Sequence, residues 1–140
     1  MKNEFIPHDI AFAMKEIGFD EPCMSKYSDN GSLLLGVPQH LKLNSNVNKI
    51  EGMYLGERGC TAPLYQQAFR WFREKYKLFG EINLTTKQED VEAFEFFCLD
   101  INEPLYESID YNTYEEAELA CLKKLIEIVN QNKDDDNKEN

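Results

Sequence analysis

No uninterrupted apolar run in the chain approaches the roughly 18 to 20 residues that a membrane-spanning helix requires. The opening MKNEFIP is followed by acidic residues, where an export signal would carry an apolar core. These absences point to the cytoplasm and to no membrane partner. Basic side chains are also scarce, 15 Lys and Arg against 26 Asp and Glu, for a net charge of −11. Such an excess repels phosphate backbones and anionic lipid, which argues against general nucleic-acid binding. Histidine occurs only as His8 and His40. The four cysteines, Cys23, Cys60, Cys98 and Cys121, lie dozens of residues apart, with no C-x-x-C pair and no histidine at ligand spacing. A zinc site is therefore not expected, and with no export signal the thiols read as reduced and mostly packed as small apolar groups. P-loop, dinucleotide, H-E-x-x-H, EF-hand and G-x-S-x-G patterns are all missing, so no metal or cofactor is expected.

What is present describes a folded chain. With 140 residues, 42% hydrophobic and 12% aromatic, there is material for one domain over 1–129. Pro7 opens a helical pattern over 7–17, with Ile10, Ala13, Met14 and Ile17 at helical spacing, Phe12 on the other side and Gly18 as the stop. Asn30-Gly31 between two short apolar segments predicts a hairpin. No period dominates 37–59, which reads as a long irregular loop.

A second helix is predicted with Thr61 as N-cap and Pro63 in its first turn, lasting to Tyr76. At about 100° per residue, Tyr65, Phe69, Phe72 and Tyr76 form a core stripe, Gln66, Arg70, Arg73 and Lys77 share the far side, and Trp71 sits on the shoulder. A second hairpin follows over 78–101, directing Phe94, Phe96 and Cys98 to one face and Glu95, Phe97 and Leu99 to the other. The last helix, 113–129, begins with a Thr113/Glu116 capping box. Its apolar arc covers about half the circumference, more than one sheet face requires, so either two elements contact it or part of it joins a second copy of the chain. Glu118 falls inside that arc. The tail, 130–140, is polar and charged and reads as disordered. The expected class is α+β: three helices packed on an antiparallel sheet built from two β-hairpins, in the order α-β-β-loop-α-β-β-α. Whether the two hairpins share one sheet is left open.

The segments APLYQQAFRWFREKY, YEEAELACLKKLIEIV and GFDEPC, about a third of the chain, resemble a family of small proteins encoded by phages and prophages of gut anaerobes. The family carries no assigned activity, cofactor or catalytic residue. The resemblance therefore implies an origin and a bacterial cytoplasmic setting, and transfers no functional residue.

Two sets of side chains are candidates for function. Cys60, between Gly59 and the expected N-cap, is placed where helix-terminal N–H groups and Arg58 would favour a thiolate, although neither histidine lies in a nucleophile–base motif. Arg70, Arg73 and Lys77 form a positive stripe, with Trp71 beside it. The stretch 61–80 holds four basic residues and one acid, +3, against −14 for the rest. The stripe either pairs with the chain's own carboxylates or contacts an anion: a small phosphate-bearing ligand or an acidic patch on a protein partner or second copy. The leading expectation is a small non-enzymatic binding or accessory protein acting by protein contact or small-molecule sequestration. The alternative is a small enzyme or nucleotide-binding domain using Cys60 or the Arg70/Arg73/Lys77 stripe.

Overall fold

Helix α1, His8–Glu16, starts where Pro7 fixes φ at −60° and ends where Ile17 and Gly18 leave the spiral. Its C-terminal carbonyls are closed by the two hydrogen bonds of a Schellman cap, Phe19 N–H to Met14 O at 2.9 Å and Gly18 N–H to Lys15 O at 3.0 Å. Met14 and Phe19, at the ends of the first of these bonds, are both buried. The computed structural model describes residues 2–35, 49–50, 53–86, 91–101 and 104–138. By its internal contacts the chain forms two compact units, Met1–Gln67 and Ala68–Asn140.

The first unit contains α1 and three antiparallel strands, β1 (Lys26–Tyr27), β2 (Leu33–Leu34) and, after the pair β3 (Lys49–Ile50) and β4 (Met53–Tyr54), β5 (Cys60–Thr61). The expected hairpin is β1–β2, with Tyr27 opposite Leu33. Its turn uses Asn30 differently from the sequence reading. Only Gly31 takes positive φ there, 84°, while the Asn30 side-chain oxygen accepts from Ser28 Oγ and, at 3.1 Å, from Ser32 N–H. This is the longer hairpin loop, a turn closed by one left-handed residue, in place of the tight two-residue form. β5 adds to the free side of β1, a partner the sequence pattern did not signal because two residues carry no periodicity. Of the expected loop 37–59, residues 37–48 and 51–52 lie outside the described residues, β3 and β4 pair with each other, and Leu55 is buried. The core gathers Ile6, Ile10, Met14, Ile17, Phe19, Tyr27 and Cys60, and Tyr27 Oη donates to the Ile6 carbonyl at 2.7 Å. Ala11 is buried where the sequence placed Ala13, a shift of the α1 stripe by part of a turn.

The unit boundary falls inside α2, Tyr65–Tyr76. The helix thus begins four residues after the expected N-cap: Thr61 belongs to β5, and Pro63 lends its carbonyl to Ile6 N–H. In the second unit β6 (Leu78–Thr86) and β7 (Glu92–Asp100) pair along nine residues each, and β8 (Pro104–Glu107) adds to the other side of β7. The two hairpins therefore seed separate sheets, each with a third antiparallel strand. Helix α3, Tyr114–Lys138, packs on β6 and β7. Thr113 caps it, its Oγ1 accepting from Glu116 N–H at 3.2 Å. Ala117, Cys121, Leu122, Leu125, Ile126, Ile128 and Val129 are all buried within one chain, so the wide apolar arc needs no second copy to cover it. Where the sequence reading expects a disordered tail, α3 continues through 130–138 with every residue exposed. Once the anchored turns exist, each added residue contributes one hydrogen bond without a new nucleation cost, and neither Gly nor Pro intervenes.

The α+β class and the alternating element order are those expected. No helix among the described residues is long and apolar enough to cross a membrane.

Candidate functional site

On α2 the buried side chains are Ala68, Phe69, Trp71 and Phe72. That arc pulls Trp71 off the shoulder and into the interior, only 5% exposed, with its ring edge-on to Phe72 at 5.1 Å and to Tyr76 at 5.3 Å. Lys75 lies 5.1 Å from the Trp71 ring centre and closes its outer side. Trp71 is thus a packing residue of α2 and offers no free surface. Arg70 and Arg73 remain exposed, three residues apart and so neighbours on the helix surface. Among the described residues neither has a carboxylate within ion-pairing distance, not even Glu74, one turn on from Arg70. The last turn of a helix favours cations, which suits Arg73, whereas Arg70 lies mid-helix with no such reason for its charge.

Lys77 does not complete the stripe. It follows the last residue of α2 and takes a left-handed φ of 56°, and its ammonium donates to the Glu74 carbonyl at 3.3 Å. It terminates the helix and satisfies one of the orphan carbonyls there.

Cys60 sits in β5 opposite Tyr27, with no exposure. Burial pushes its thiol up to about 11, against the lowering effect of Lys15, Lys26 and Arg58. The helix terminus expected to activate it does not lie next to it, because Thr61 extends the strand. His8 is not placed as its base: its Nε2 contacts the Arg58 carbonyl at 2.9 Å and its ring lies against Tyr27. His40 lies outside the described residues. Cys23 donates to Gln67 Oε1 at 3.4 Å, and burial raises its thiol to about 12. Beside these thiols Lys26 is fully buried, its pKa lowered first by burial and then by Lys15.

Sequence reading missed the polar side of α1. His8 and Lys15 hold the carbonyls of Arg58 and Gly59, the latter at 3.0 Å, and Phe12 lies under the Arg58 guanidinium at 4.9 Å. The spacing of these three residues, one helical side, was the available signal. A cleft of about 250 Å³ lined by Glu4, Phe5, Met24, Leu64, Tyr65 and Gln66 also escaped it, since its walls come from three separate segments. Among the described residues no cluster of His, Cys, Asp or Glu is suited to hold a metal ion.

Comparison with protein-family models, with curated proteins and with solved structures finds no match.

Proposed function

We propose that this is a non-catalytic binding protein that engages an acidic surface of a partner protein through Arg70 and Arg73 on α2. The reading rests on one observation. In a chain with eleven more acids than bases, two adjacent exposed guanidiniums have no carboxylate partner among the described residues. An Arg pair left open in this way offers two rigid forks for carboxylates. A small anionic ligand uses the same chemistry and is the second form of the proposal. The setting inferred from the phage and prophage resemblance is an accessory role in a bacterial cytoplasm. The enzymatic alternative draws nothing from Cys60, whose thiol is buried and held protonated.

The test compares the wild-type chain with Arg70→Glu/Arg73→Glu as baits in a bacterial lysate, identifying retained proteins and metabolites by mass spectrometry. A partner retained by the wild type, released by added salt and lost from the double variant supports the proposal. Identical sets of bound molecules contradict it.

A further inference from the structure

We propose that Cys98 and Cys121 form a disulfide when the chain meets a small-molecule disulfide oxidant, and that the bond fastens α3 to the central strand of its sheet. Cys98 lies on β7 and Cys121 on α3, both without solvent exposure. Directly opposite Cys98 on β6 is Gly80. Paired residues of antiparallel strands direct their side chains to the same face, about 5 Å apart. Gly80 has no side chain, and the Cys121 sulfur occupies the vacancy: a Cβ added at Gly80 would stand 2.7 Å from Cys121 Sγ. The same sulfur lies 4.0 Å from the Phe97 carbonyl oxygen, in the peptide that leads into Cys98. These two contacts place the Cys121 sulfur over the backbone at Cys98. A disulfide needs the two sulfurs at roughly 2.0 Å and the two Cα atoms within about 7 Å of each other.

The chemistry balances as thiol–disulfide exchange. In the docked structure the neighbouring Cys121 holds the Cys98 thiol below its ordinary pKa in spite of burial, and the Cys121 thiol is raised. With α3 away from the sheet, Cys98 attacks the oxidant as thiolate and expels one small thiol, leaving a mixed disulfide. Cys121 gives up its proton, attacks the Cys98 sulfur and expels the second. Two electrons and two protons leave with the two small thiols. Because both sulfurs are buried, the exchange runs while α3 is lifted from the sheet or before it docks.

The experiment refolds the full reduced chain from denaturant in glutathione buffers of increasing oxidised fraction, followed by acid quench, alkylation and peptide mapping. The expected product links the peptides carrying Cys98 and Cys121, leaves Cys23 and Cys60 alkylated, and melts about 10 °C above the reduced chain. Cys121→Ser, which keeps the side-chain size, should yield neither cross-link nor shift. Alkylation of both Cys98 and Cys121 in the most oxidising buffer, or their pairing with Cys23 or Cys60, overturns the proposal. A correct cross-link without a rise in melting temperature overturns the fastening of α3.

Discussion

Single side chains carry the chemistry, and burial decides what they do. Cys60 reads from the sequence as an exposed thiol at a helix start, yet its position in β5 removes both the helix terminus and the water. Its pKa rises from 9.0 to about 11, so folding favours the protonated form. The resulting stability is complete below about pH 9 and is lost as the pH climbs toward 11. Lys26 acts in the opposite sense, since burial lowers its pKa and the cost of its charge fades as the pH rises. The comparison that isolates Cys60 is therefore with Cys60→Ala: urea unfolding across this window should show a shallower loss of stability in the variant. Alkylation of folded wild type at neutral pH should be slow at Cys60 and become fast in urea. Backbone packing is equally specific at Gly56, where φ is 96° and an added Cβ would fall 2.1 Å from Asp29 Cβ, an atom that side-chain rotation cannot move away. Asp29 in turn accepts from Arg58 N–H at 2.9 Å. Gly56→Ala should cost more than about 2 kcal/mol in urea unfolding, combining left-handed strain with displacement of that latch.

At the scale of elements, legibility followed periodicity and length. The nine-residue strands β6 and β7 and the capped start of α3 were readable because alternation and a Thr–x–x–Glu cap are strong local signals. β5 was not, because a two-residue strand exists only through its partner β1. Taking Thr61 as a cap then displaced the start of α2, since residues 61–64 carry the right residue types for a helix entry, while β5 claims Thr61, and Ser25 and Ile6 bond the backbone of Ala62 and Pro63. The same tertiary packing turned Trp71 inward and left Arg70 and Arg73 as the legible part of the candidate site. Lys77 was misread for a geometric reason: the angular construction continues a helix that has already ended. Its left-handed conformation predicts that Lys77→Gly preserves or raises stability, by up to about 1 kcal/mol, whereas Lys77→Val lowers it. Urea midpoints of the two variants check this, and a destabilising Gly would return Lys77 to a side-chain role.

For the whole molecule, charge asymmetry is the property that sequence showed directly and structure sharpened. The +3 of 61–80 set against −14 elsewhere narrows, on the described residues, to the open pair Arg70 and Arg73, because Lys75 lies over Trp71 and Lys77 closes the helix end. Exposed and, among the described residues, without carboxylate partners, these two guanidiniums contribute little to folding, so their substitution separates binding from stability. The most direct measurement is a titration of isotope-labelled protein with a glutamate-rich peptide, followed by backbone amide shifts. The account predicts shifts centred on the turn carrying Arg70 and Arg73, weakened by salt and abolished in Arg70→Glu/Arg73→Glu with the fold intact. Shifts centred elsewhere, or retained in the double variant, would contradict it.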